Sequence, residues 1–109
     1  PTVKRTLELL HSEVNTRHTV DDLSAAVHLS GSHLNRLFRT NLGISIGSYI
    51  RALYIDRAKY FLRETNDSVT EIAEKMGFDT IHNFSMFFKN FTKMSPAEFR
   101  KLVHDKKKR

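Results

Sequence analysis

The stretch SVTEIAEKMGFDTIHNFSMFFKNFTKMSPAEFRK, Ser68 to Lys101, reads as a second writing of TVDDLSAAVHLSGSHLNRLFRTNLGISIGSYIRA, Thr19 to Ala52. At an offset of 50, Phe88 falls on Phe38, Lys89 on Arg39, Ser95 on Ser45 and Phe99 on Tyr49. Upstream the offset is 49, with Ile72 on Leu23, Met76 on Val27 and Phe78 on Leu29. The second copy therefore has one extra residue between Phe78 and Phe84. One supersecondary unit is used twice.

The unit is a short helix, a tight turn and a longer helix. In copy two, Ile72, Ala73 and Met76 form the apolar face of the short helix, and Gly77 supplies the turn. Phe84, Phe87, Phe88 and Phe91 are expected to face the core from the longer helix, roughly Ile81 to Thr92. Copy one offers Leu23, Ala26 and Val27, then Leu34, Leu37 and Phe38.

Capping signals punctuate the rest of the chain. Val3, Leu7, Leu10 and Val14 recur at helical spacing and predict a first helix to about Asn15. Thr19 with Asp22 predicts a second, over about Val20 to Val27. Ser30 caps a third, which Gly43 stops in left-handed geometry. Ser45 opens a long fourth helix to about Arg63, its stripe being Ile46, Tyr49, Ile50, Leu53, Ala58, Phe61 and Leu62. Ser68 with Glu71 boxes the fifth. Ser95-Pro96-Ala97-Glu98 starts the seventh, which is expected to run to about Val103 before a frayed DKKKR end. No stretch alternates like a strand, so the fold class is all-α. The expected division is a first helix-turn-helix over 1–44, a linker helix over 45–65, and a second helix-turn-helix with a basic tail over 66–109.

Composition narrows the function classes. The 109 residues carry 18 Lys and Arg against 12 Asp and Glu, a formal net charge of +6. That balance favours polyanionic partners, and other basic proteins share it. No apolar run approaches a bilayer span, so no membrane partner is expected. Cysteine is absent, which excludes disulfides and suits a cytoplasmic protein. The six His are scattered singly, so neither a metal nor another cofactor is expected. There is no phosphate-binding Gly loop and no nucleophile elbow, and an enzyme is not expected. The chain begins at Pro1 without Met, and the expectation is a fragment of something larger.

A helix pair of this size occurs in many proteins that bind no nucleic acid, so one copy alone is equally a packed hairpin. Two copies joined by a helix of about 27 Å are a stronger signal, because one turn of B-DNA is about 34 Å. The rival from another class is a helical protein-interaction module with only non-specific DNA affinity.

The residues resemble the AraC/XylS family of bacterial transcription regulators. The family pattern is matched by Ile72-Ala73, Gly77-Phe78, Phe84-Ser85, Phe88-Lys89, Ser95-Pro96 and Phe99-Arg100. LSGSHLNRLFRTNLGISIGSYI, Leu29 to Ile50, is similar to the family's first helix-turn-helix. The resemblance covers Val3 to about Leu102. It implies seven helices, two helix-turn-helix halves, double-stranded DNA as partner, and an activating role. It also implies RNA polymerase as a partner and an effector or dimerisation domain preceding Pro1. Four positions depart from the pattern or from the other copy. Lys93 replaces a usual Gly, and at φ > 0 it costs about 1 kcal/mol, so that turn is expected to differ in shape. His28 stands where copy two has Gly77, and His tolerates the left-handed region. Ile46 replaces the Pro seen at Pro96, and Met86 stands where Arg is frequent.

Exposed positions near the start of a reading helix reach base edges in the major groove. In the first half these are Gly31, Ser32, Asn35 and Arg36. Arg36 suits guanine and Asn35 suits adenine, each through two hydrogen bonds; a phosphate contact is the alternative for Arg36. In the second half they are Thr80, Ile81, His82, Ser85 and Met86. Ile81 and Met86 suit thymine methyls, with burial against a neighbouring helix the alternative for Ile81. Ser30, Arg39, Thr80 and Lys89 are the expected phosphate contacts, with Lys106, Lys107, Lys108 and Arg109 attracting phosphate non-specifically. Copy one is expected to carry most sequence discrimination, and copy two to favour A·T-rich DNA or shape.

Overall fold

A computed structural model describes residues 2–12 and 19–107. Val14, the first helix's expected end at Asn15, and the tail residues Lys108 and Arg109 lie outside the described residues. Seven helices and no strand are found among the described residues: α1 (Thr2–Ser12), α2 (Val20–Ala26), α3 (Gly31–Leu42), α4 (Ile46–Glu64), α5 (Val69–Lys75), α6 (Ile81–Thr92) and α7 (Pro96–Lys107).

The caps act where the sequence puts them. Thr19 and Asp22 exchange hydrogen bonds of 3.1 Å at the start of α2. Ser68 and Glu71 do the same at α5, and Ser95 and Glu98 at α7. Gly43 ends α3 at φ 78°. One end differs: α7 continues to Lys107, beyond the expected end at Val103. Nothing in His104-Asp105-Lys106-Lys107 is a Gly or Pro, and Lys is a good helix former.

Packing divides the chain into two units, Pro1–Leu53 and Tyr54–Arg109, with the division falling inside α4. In the first unit the core holds Leu10, Leu23, Leu34, Phe38, Ile46 and Ile50. Phe38 meets the Tyr49 ring edge-on at 5.9 Å, and the Tyr49 hydroxyl lies 3.0 Å from His11 Nε2. The small residue buried on α2 is Ser24, not the expected Ala26, which is exposed. Ser24 is the counterpart of Ala73 at offset 49, and its hydroxyl donates to the Asp21 carbonyl at 3.1 Å, so its burial leaves no unmet donor.

The second unit buries Tyr54, Ile55, Ala58, Leu62, Ile72, Ala73, Met76, Phe84 and Phe88. Phe88 meets Phe99 edge-on at 5.5 Å, repeating the Phe38–Tyr49 contact fifty residues on. Phe78 touches Phe84 and Phe87, each at 5.4 Å. Phe91 departs from expectation: it is 49% exposed, with one face against Phe87 at 5.3 Å.

Both helix-turn-helix turns have one geometry. The Leu29 N–H donates to the Ser24 carbonyl and the His28 N–H to the Ala25 carbonyl. In copy two the Phe78 N–H donates to Ala73 and the Gly77 N–H to Glu74. This paired closure needs a left-handed residue, and it finds His28 at φ 60° and Gly77 at φ 78°. Ser30 and Thr80 then cap the longer helices, so the extra residue of copy two is Asp79. Lys93 closes α6 at φ 65°, its N–H donating to the Lys89 carbonyl, as the Gly43 N–H donates to Arg39. The turn after α6 thus keeps the shape of the turn after α3, contrary to expectation. Lys93 Nζ adds a bond of 3.1 Å to the Asn90 carbonyl, which offsets part of the strain.

Candidate nucleic-acid interface

At about 100° per residue, positions 31, 32, 35, 36 and 39 fall within about 140° of the circumference of α3. Leu34 and Phe38, both fully buried, point the opposite side into the core. Burial of those two residues therefore turns Ser32, Arg36 and Arg39 outward, and all three are exposed. The second unit repeats the arrangement. Phe84 and Phe88 are fully buried, and Ile81, His82, Met86 and Lys89 are exposed. Ile81 is 45% exposed, so burial against a neighbouring helix does not hold for it. Gly31, Asn35 and Ser85 are half-buried at the edge of this face.

The capping residues have defined partners. The Ser30 hydroxyl accepts the His33 N–H at 3.1 Å, and the Thr80 hydroxyl accepts the Asn83 N–H at 3.0 Å. Each hydroxyl keeps its own proton for another acceptor. Asn35 is different from the sequence-based picture: its Oδ1 accepts the backbone N–H of Ile46 at 3.1 Å. One of its two carbonyl lone-pair sites is thereby occupied within the protein.

A shallow groove runs beside α3, lined by Ser32, Asn35 and Arg39 and by Gly47 and Arg51 of α4. Arg51 is exposed and its Nη2 donates to the Ser48 hydroxyl at 3.2 Å. Sequence reasoning passed over Arg51. The signal was present in the repeat, because Lys101 stands fifty residues on and is also exposed. Each copy thus carries two cations at matched places, Arg39 with Arg51 and Lys89 with Lys101. Among the described residues no cluster of three or more His, Asp or Glu is placed to hold a metal ion. Among them, too, no helix is long and apolar enough to cross a membrane.

A family model described as a helix-turn-helix domain matches residues 23–102. The chain belongs to the AraC-type helix-turn-helix family. The family is one of DNA-binding domains of transcription regulators and not one of enzymes. Over 86 residues it is 40% identical to YfiF, an HTH-type transcriptional regulator of Bacillus subtilis, covering 79% of this chain and 27% of that one. The C-terminal domain of AraT, a response regulator from Geobacillus stearothermophilus, is 28% identical with a TM-score of 0.84, covering 94% of this chain and 85% of that one. The DNA-binding domain of AdpA, solved in complex with a target DNA, shares the fold at 20% identity and a TM-score of 0.84, covering 96% of this chain and 95% of that one. The chain spans well under half the length of the first curated relatives it matches, 37% and 27%.

Proposed function

We propose that the AraC-type domain binds duplex DNA with α3 and α6 as its two reading helices, set into adjacent major grooves. The observation that carries this is the duplicated exposed face, positions 32, 36 and 39 on α3 and 82, 86 and 89 on α6, each backed by two fully buried core residues. In this reading residues 1–44 and 66–109 hold the two readers and residues 45–65 form the linker. Arg36 and Ser32 reach base edges in the first half, and Ile81, His82, Ser85 and Met86 in the second. Ser30, Arg39, Thr80 and Lys89 position the backbone, joined by Arg51 and Lys101. The chain is the DNA-binding part of a larger cytoplasmic activator. An effector or dimerisation domain and RNA polymerase are its protein partners, and it has no catalytic role and no cofactor.

The test is a binding site selected from random duplexes, then altered by inserting about half a helical turn between its sub-sites. Two engaged readers predict loss of most specific affinity, whereas unchanged affinity means that only one engages. Salt titration separates the rival class. A steep fall of affinity with salt marks phosphate contacts, while salt-insensitive association with a protein marks an interaction module.

A further inference from the structure

We infer that Asn35 is a positioning residue and not a base reader: its side chain fastens the first reading helix to the start of α4. The inference rests on the DNA-binding reading of α3. Ile46 is the first residue of α4, and its N–H belongs to the orphan donors of a helix start. The Ser45 hydroxyl serves the Ser48 N–H at 3.1 Å, and Asn35 Oδ1 serves the Ile46 N–H, also at 3.1 Å.

The second copy shows what the bond is for. Fifty residues on, Asn35 is replaced by Ser85 and Ile46 by Pro96. Proline has no N–H. Where the donor exists, a side chain long enough to reach it stands on the reading helix. Where the donor is absent, a short Ser occupies the same place. The two differences answer each other across one junction, while the rest of the junction repeats: Ser45 and Ser95 both cap, and Phe38–Tyr49 and Phe88–Phe99 both pack edge-on. An adenine contact needs Oδ1 and Nδ2 turned together toward N6 and N7. Holding Oδ1 on Ile46 fixes the amide plane to the protein's own backbone, with the side chain half-buried. What the bond sets is the seat of α3, and with it the aim of Ser32 and Arg36.

A double-mutant cycle with site selection tests this. Asn35→Ser alone orphans the Ile46 N–H and lowers the melting temperature by roughly 4–8 °C. In a chain that already carries Ile46→Pro, the same exchange leaves melting unchanged, and the selected site keeps its preference at every base pair. Loss of preference at one base pair in that background would make Asn35 a base reader and overturn the inference. Asn35→Asp covers the case in which Ile46→Pro does not fold. It keeps the acceptor for Ile46 and removes the amide donor, so the selected site keeps its pattern while affinity falls evenly across sequences. Selective loss at one base pair would again overturn it. A parent chain that selects no site refutes the DNA reading instead. The melting cycle still decides the junction, because uncoupled exchanges would sink it.

Discussion

Arg100 Nε donates to the Leu62 carbonyl at 3.1 Å, tying α7 to the C-terminal end of α4. Its Nη2 reaches the carbonyls of Phe61 at 3.4 Å and Thr65 at 3.3 Å. The last carbonyls of a helix lack partners within it, and a cation there also meets the negative end of the helix dipole. The family's Phe-Arg signature thus ends in a residue that holds the second unit together. Arg100→Ala is expected to cost roughly 1–2 kcal/mol of stability. Arg100→Lys should recover little, because one ammonium cannot span three carbonyls as the planar fork does. Denaturant melts beside DNA titrations check this. A variant of unchanged stability but weakened DNA binding would make Arg100 a phosphate contact instead.

His28 and Lys93 are the two non-Gly residues with positive φ among those described, at 60° and 65°. A side chain in that region costs about 1–2 kcal/mol, and Gly returns part of the gain through its freer unfolded state. His28→Gly and Lys93→Gly are each expected to stabilise by about 0.5–1 kcal/mol. Lys93 should gain less, since the change also removes the bond from Nζ to Asn90. Destabilisation in either chemical melt would mean that the side chain outweighs its backbone strain.

These turns mark the boundary of what the sequence makes legible. Ser68 with Glu71, Ser95 with Glu98, and Gly43 are local signals, because a cap binds within three residues of itself. The repeat located both turns and the outward faces of α3 and α6. Ser24 escaped because a seven-residue helix has too few turns for periodicity to choose between neighbouring small residues. Tyr54 and Ile55 escaped because α4 supplies core residues to two units, and a ladder such as 46, 50, 54, 58 and 62 drifts by about 40° per step. Phe91 continues the helical spacing of Phe84, Phe87 and Phe88, but its position at the last turn of α6 leaves one face to solvent. The Asn35–Ile46 bond joins residues eleven apart across a helix boundary, which no local pattern encodes.

Acid should weaken the start of α7. The Ser95 backbone N–H, at 3.0 Å, and then the Ser95 hydroxyl hold the Glu98 carboxyl below its ordinary value of 4.5. A carboxylate depressed in the fold stabilises fully above that ordinary value, and loses its contribution as pH falls through the lowered one. Glu98→Gln keeps an acceptor for the Ser95 N–H but does not titrate. The stability advantage of the parent over Glu98→Gln should therefore shrink as pH falls from about 6 to about 3. A gap that stays constant over that range would remove the carboxylate from the account.

On the reading face, Arg36→Ala is expected to cost about 1–3 kcal/mol on the preferred site and to relax preference at one base pair. Arg36 is exposed on the turn between the buried Leu34 and Phe38, so its removal should leave melting unchanged. Affinities measured over single-base variants of the site decide it. A uniform loss over all sequences would assign Arg36 to phosphate.

The two halves should read unequally. Copy two keeps the family's framework, yet its outward face presents Ile81, His82 and Met86, where copy one presents Gly31, Ser32 and Arg36. Framework residues secure folding, since Phe84 and Phe88 are fully buried; they do not touch DNA. Bidentate hydrogen bonds discriminate by about 1–3 kcal/mol each, and methyl contacts give less. Met86→Arg should therefore raise affinity for DNA in general or create a new guanine preference under α6. Met86 is 47% exposed, so the change removes little buried surface and the fold should tolerate it. Thermal melting of the variant and its selected site beside the parent's give the two readings. A large drop in melting temperature would show that Met86 supports the core after all. A sharply specified half-site under α6 in the parent would overturn the asymmetry, because Ile81, His82 and Met86 would then discriminate as well as Arg36 is expected to.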